Sequence, residues 1–339
     1  MIGSVIARVA SGERLGRAEA RETMLHLMRG EASDAQIAAL LTALKMRGET
    51  ADEIAGFALG MREAATTIVP AVGPLVDTCG TGGDGLSTFN ISTAAAFIAA
   101  GAGVYVAKHG NRGVSSSCGS ADVLEALGIG IDLEAEKVRA CIEEVGIGFL
   151  FAPRFHPAMR HVMRARREMG IPTAFNLLGP LTNPAGAEAQ LLGVGSREKA
   201  PLIAGALAEM GVRRAMVVHG EDGMDEFTTT SSTLVWEIGP QGVSHYRVHP
   251  SEVGMARSGM DDLAGGDAPE NARIIRDEVL SGRRGHRRDV AVLNAGAAIL
   301  VAGKAGSLED GVVLAGRSID SGAALHKLEE LVNFTTGGG

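Results

Sequence analysis

Apolar residues in the first part of the chain recur at helical spacing. Ile37, Leu40, Leu41 and Leu44 share one face and follow Ser33-Asp-Ala-Gln36, which has capping-box spacing. Gly48 stops the run. Thr50-Ala-Asp-Glu53 repeats the device ahead of Ile54, Phe57 and Met61. Residues 1–70 are therefore expected to form a small all-helical domain. Such a bundle has little core of its own, so it should pack on the rest of the chain, and its remaining apolar faces are candidate dimer surfaces.

Beyond Pro70 and Pro74 the period changes. Short β-rich runs (LVDTC, VYVAK, FLFAP, QLLGVG, AMVVHG and TLVWEIG) alternate with helical stretches such as TAAAFIAAG, ADVLEALG, LEAEKVRACIEEVG and Arg197 to Met210. That alternation predicts an α/β fold for residues 71–339, with a mostly parallel central sheet flanked by helices. A helix from Ala291 to Val301 is expected to close the fold, and the tail FTTGGG to fray.

Composition narrows the function. A net charge of −8 over 339 residues works against general affinity for nucleic acid or anionic lipid, so polyanion binding must come from a local arrangement. Two Tyr and one Trp are too few for a base-stacking platform. The three cysteines form no CxxC pair, which argues against a disulfide framework or zinc site and fits a reducing cytoplasm. The apolar stretch from Ala94 to Ala107 is broken by glycines and falls short of the roughly 20 residues of a membrane span. The start has no signal-peptide pattern.

Gly80 to Gly85 reads GTGGDG after a strand and literally satisfies the dinucleotide fingerprint. Its context does not. The second strand ends in Lys108 and His109, where that fold needs an acid for the ribose hydroxyls. The loop still suits phosphate, because glycines let backbone amides converge on oxygen. Asn90, Ile91, Ser92 and Thr93 then open a helix whose unpaired N–H groups favour an anion. The plainer alternative is that Ser92 and Thr93 only cap that helix. The second loop, Lys108 to Asp122, carries two cations, glycines and serines up to the next helix start at Ser120. Helix dipoles contribute only ~0.3–1 kcal/mol each, so a diphosphate would need a metal as well. Asp225 and Glu226 in HGEDGMDE are the candidate ligands for magnesium, which favours carboxylates, phosphate and water. Glu221 and Asp222 read as an exposed acidic turn, and GRRGHRR, from Gly282 to Arg288, as a solvated loop.

Taken together, GTGGDGLSTFNIST, KHGNRGVSS, GSADVLEALG, FAPRFHPAM, FNLLGPLTNP and HGEDGMDE resemble the anthranilate phosphoribosyltransferase family across nearly the whole chain. The resemblance implies a homodimeric transferase of the second step of tryptophan biosynthesis, using phosphoribosyl diphosphate and anthranilate. It also implies Mg2+, two ions per monomer. Carried over by position, Gly80, Gly83, Asp84, Thr88, Asn90, Ile91, Ser92 and Thr93 would serve the donor. So would Lys108, His109, Gly110, Asn111, Arg112, Gly113, Val114, Ser115, Ser116 and Ser120. Anthranilate would meet Gly80, His109, Asn111, His156, Arg166 and Pro180, and the metal Ser92, Asp225 and Glu226. His109 is the one candidate for a general base. Ser117, Cys118 and Met159 depart from residues common in relatives, and Cys118 is assigned no phosphate contact. Two alternatives remain open: a pyrimidine nucleoside phosphorylase, and a non-catalytic nucleic-acid-binding protein of the same fold.

Overall fold

The computed structural model describes residues 2–113 and 118–337. Helices α1 (Ile2–Ala10), α2 (Arg17–Met28), α3 (Asp34–Arg47) and α4 (Ala51–Glu63) come first. Both anticipated capping boxes form, Ser33 with Gln36 and Thr50 with Glu53. Glu53 does more than cap. Fully buried, it also accepts the Leu15 amide at 2.8 Å and pairs with Arg47, tying the α1–α2 turn to α4.

The remainder begins with β1 (Leu75–Gly80), α5 (Ile91–Gly101), β2 (Tyr105–Gly110), α6 (Ser120–Ala126) and α7 (Ala135–Ala140). Then follow β3 (Ile147–Phe151), α8 (Ala152–Phe155), α9 (Arg160–Met169), α10 (Phe175–Leu178) and β4 (Ala189–Gly193). Next come α11 (Ala200–Glu209), β5 (Arg214–Gly220), β6 (Thr233–Gly239) and β7 (Gly242–Val248). Last are α12 (Ala268–Arg273), α13 (His286–Val301), α14 (Leu308–Asp320) and α15 (Ala323–Thr336).

The sheet has seven strands in the order β3-β2-β1-β4-β5-β6-β7. Strands from β3 to β5 run parallel, and β6 and β7 add antiparallel. Its parallel strands are buried on both faces, so they read as near-continuous apolar runs. Alternate residues serve two cores. Met216, Val218 and Val235 face α5, α13 and α15, while Ala215, Val217, Leu234 and Trp236 face the N-terminal helices with α9 and α11. The helical segment thus completes its core against the sheet, as its small size required.

Several expectations need correction. Helix α11 starts at Ala200, not Arg197, because Pro201 sits in its first turn. Helix α13 starts at His286, not Ala291. It does not close the fold, since α14 and α15 follow and bury Ala315, Ile319, Leu328 and Leu331. Phe334 to Thr336 are helical, not frayed: Lys137 lies over the Phe334 ring and the Gly130 amide donates to Thr335 Oγ1 at 3.0 Å. GRRGHRR is not a solvated loop either. Its second half is the first turn of α13, Arg288 is buried against Asp320, and Arg287 pairs with Glu278.

Strand order places the site. The chain runs outward from β1 through β2 to β3, then returns past β1 to β4 on its other side. The loops after β1, β2 and β5 leave from the same sheet edge beside that switch point, where open α/β sheets bind ligands.

Candidate active site

At the end of β1, Gly82, Gly83 and Gly85 adopt left-handed backbone that a side chain would strain, and Ser87 does so at φ 53°. The loop curls so that the Gly82 amide donates to Asp225 Oδ2 at 2.9 Å. Close approach explains other glycines. A Cβ on Gly80 would stand 2.5 Å from Asp225 Oδ2, and one on Gly193 1.6 Å from the Asp225 carbonyl oxygen.

Between the loops after β1 and β2 lies a cleft of about 340 Å³. Gly80, Gly83, Asp84, Thr88, Asn90, Ile91 and Ser92 line one side. Lys108, His109, Gly110, Asn111, Arg112, Gly113 and Ser120 line the other, and Asp225 and Glu226 approach from the loop after β5. Val114, Ser115 and Ser116 lie outside the described residues. Thr93 does not line the cleft: it is fully buried, and its amide is spent on the Asn90 carbonyl at 3.1 Å. Neither Ser92 nor Thr93 caps α5; Asn90 is the N-cap and makes no side-chain cap bond.

The charge at the cleft floor is unbalanced. Burial, then Asp84, pushes the Asp225 carboxyl up to about 7, and burial, then Asp225, pushes Glu226 well above the carboxylate range. The Ser92 amide at the start of α5 lies near Glu226 and favours its charged form. Lys108 is buried beneath them and donates to the Thr78 carbonyl and to Ser92 Oγ. Burial lowers its pKa, while Asp77 and Glu226 hold it up. The one ammonium thus faces Asp77 and Glu226, while Asp84, Asp225 and Glu226 crowd against one another. Carboxylates crowded against one another fit a hard divalent cation, which would relieve their repulsion. Among the described residues no three side chains converge into a ready-made metal cage. Magnesium takes one or two carboxylates and completes its shell with phosphate and water.

Sequence reasoning missed the supports behind this floor. Asp77 is fully buried and accepts the His109 amide at 3.1 Å and Asn183 Nδ2 at 2.8 Å, binding β1, β2 and the GPLTNP segment together. Both residues lie within quoted runs, but only their burial marks them. Asp222 is not a loose acidic turn, since Met224 N–H, Thr228 and Thr230 all donate to it and shape the loop that carries Asp225. Glu221 pairs with Arg247.

His156, Pro180 and Arg166 lie beyond the cleft lining. The His156 and His109 rings stand 5.1 Å apart, and the Pro180 carbonyl accepts Gln190 Nε2 at 2.6 Å beside Cys79. Burial pushes His109 down to about 3 and His156 down to about 4. Both are neutral near pH 7, and a depressed pKa makes His109 a weak proton acceptor. The pair forms a polar wall instead. Arg166 lies over the Phe175 ring at 4.9 Å, and burial lowers its pKa. Arg164 nearby pairs with Asp34 and Glu168, whereas among the described residues no carboxylate reaches Arg166. A half-buried guanidinium without an acid is a ready partner for a carboxylate ligand. Cys118 packs into the core while also bordering the cleft beside Gly119 and Ser120.

Residues 72–325 match the sequence profile of the glycosyl transferase family a/b domain, and residues 3–65 that family's helical bundle domain. The anthranilate phosphoribosyltransferase of Methanocorpusculum labreanum is 56% identical over 338 residues, covering 99% of this chain and 99% of that one. The chain belongs to the anthranilate phosphoribosyltransferase family. The crystal structure of the family member from Thermus thermophilus matches with a TM-score of 0.92 at 49% identity, over 97% of this chain and 98% of that one. The Saccharomyces cerevisiae member, in complex with PRPP and Mg, matches with a TM-score of 0.89 at 30% identity, over 99% and 98%.

Proposed function

We propose that the protein transfers the phosphoribosyl group of 5-phosphoribosyl 1-diphosphate to the amine of anthranilate, releasing diphosphate, as the second step of tryptophan biosynthesis. The observation that carries this reading is the cleft itself: two loops and two helix starts face an acidic floor that needs a cation. The lining of the cleft supports the following roles. Amides and hydroxyls of residues 80–92 and 108–120 would hold the donor's phosphates. Ser92, Asp225 and Glu226 would hold magnesium, two ions in the fullest version. Bound magnesium would supply positive charge to the departing diphosphate.

The chain's own residues orient and neutralise. The C–O bond at the anomeric carbon breaks toward the diphosphate while the anthranilate nitrogen closes on the opposite side, and the proton the nitrogen then sheds passes to the released diphosphate or to solvent water. Lys108 acts through its field from beneath the floor, since its ammonium is already bonded to Thr78 and Ser92. Aimed backbone donors are worth ~2.7–4 kcal/mol each where charge develops. Arg166 would receive the anthranilate carboxylate, with His109, His156, Pro180 and Asn111 lining the acceptor's approach. An aromatic amine needs orientation more than deprotonation, which agrees with two neutral histidines at the wall.

A homodimer through the helical segment (residues 1–70, with the transfer domain at 71–339) belongs to the proposal. A groove on α1 and α3 is lined by Val9, Ala38, Ala39 and Ala43 beside Met46, which is 84% exposed. Cytoplasmic location is proposed on cysteine usage. Among the described residues no helix is long and apolar enough to cross a membrane. Anthranilate is fluorescent, so protein with donor, Mg2+ and anthranilate should consume the signal. Steady fluorescence, with phosphate-dependent cleavage of uridine or thymidine, would instead favour a nucleoside phosphorylase.

A further inference from the structure

Burying a primary amide inside a helix is unfavourable unless its polar atoms find partners. Asn271 of α12 is only 1% exposed, and both ends of its side chain are engaged. Its Oδ1 accepts the Gly266 amide at 2.8 Å, and its Nδ2 donates to Asn90 Oδ1 at 2.9 Å. With that oxygen committed, Asn90 turns its Nδ2 to the carbonyl of Cys118 at 3.2 Å. The Cys118 thiol also lies against Asn271. A one-way chain of donors therefore runs from Gly266 through Asn271 and Asn90 to Cys118. Reversing one amide would set oxygen against oxygen. Asn90 stands at the start of α5, and Cys118 just before Gly119, the N-cap of α6. The chain thus links the two helix starts that face the cleft.

The same segment is laid along the first loop. Phe89 N–H donates to the Leu263 carbonyl at 3.2 Å, Gly265 N–H to the Ser87 carbonyl at 3.0 Å, and Thr88 bridges Ala264. A Cβ on Gly265 would come within 2.6 Å of Asn271 Oδ1 and of Phe89 Cα, so the approach leaves no spare room.

We infer that Asn271 is a positioning residue for the phosphoribosyl donor: by fixing the orientation of Asn90 it sets the spacing of the two helix starts around the diphosphate. The inference rests on the assignment of the donor to this cleft. Amides on two separate elements act on one anion only when their separation fits it. Freeing Asn90 lets the loops move independently, and the loss falls on donor affinity.

The test is calorimetric titration of the full chain with phosphoribosyl diphosphate and Mg2+, beside steady-state kinetics. Asn271→Ala should raise donor Kd and KM on the order of tenfold, with kcat and anthranilate KM within about twofold. Asn271→Asp keeps the volume and the Gly266 bond but cannot donate to Asn90, so it should weaken donor binding in a protein that folds. In an Asn90→Ala background either change should add little to the donor effect. Unchanged donor Kd in both variants, or full additivity with Asn90→Ala, would overturn the inference. If the unaltered protein takes up no donor, the cleft assignment fails first and this role with it.

Discussion

At Asp225 and Glu226 two carboxylates are held near a third, Asp84, and burial lifts both out of their ordinary range. The proposed function makes this pair the magnesium ligands, so removing them should remove more than local charge. Asp225→Asn combined with Glu226→Gln should cut kcat/KM on the order of 100-fold or more, with only partial recovery in excess Mg2+. Unchanged kinetics would take the pair out of the site. Arg166 makes a separate claim. Arg166→Ala should raise anthranilate KM roughly 10- to 100-fold, the scale of a charged, forked contact, while leaving donor KM near its starting value. A selective effect on the donor would reverse the assignment. Sequence alone could nominate DE and KHGNR because their chemistry is explicit in residue type. It could not separate Arg166 from Arg160, Arg164 and Arg167, since what distinguishes it is desolvation over Phe175. Asp77, Asn183 and Asn271 stayed hidden for the same reason.

Among the elements, those with local signals were legible. Capping boxes marked α3 and α4, and β-rich runs marked the strands from β1 to β6. Helices α14 and α15 went unforeseen although they too carry local signals, a Ser307 cap on the Asp310 amide and the Ala324, Leu328 and Leu331 spacing. Strand β7 offers none: it is an edge strand, exposed along nearly its whole length, with no alternation to betray it. The junction of β2 with the segment after α8 yields a prediction about pH. His109 and His156 have folded pKa values below the unfolded value, so the folded state disfavours their protonated forms. Their contribution is complete above about pH 6.5 and is lost as pH falls toward 4 and 3. At pH 5.5 each histidine should remove about 1.4 kcal/mol of stability relative to neutral pH. Urea unfolding at pH 7.5 and 5.5, run in parallel on the unaltered protein and His156→Gln, measures it. The variant's stability change between the two pH values should differ by about 1.4 kcal/mol in favour of the acid side, and an unaltered pH dependence in that variant would contradict the argument.

Across the whole molecule, an acidic chain of net charge −8 is assigned a polyanionic substrate. The proposed function reconciles the two by confining attraction to loop amides, helix starts and a metal, while arginines elsewhere are spent on acids, as exposed Arg284 and buried Arg288 are on Asp320. The helical segment has a second outlet for its apolar surface at Met46. If that groove seats a second copy, Met46→Glu should shift the sedimentation coefficient from dimer to monomer with the fold intact; a dimer that persists would move the interface elsewhere. The central claim is where the donor lies. Crystals grown with phosphoribosyl diphosphate and Mg2+ should show the diphosphate between residues 80–92 and 108–120, with metal against Asp225 and Glu226. An empty cleft, with the donor ordered at another site, would contradict the account.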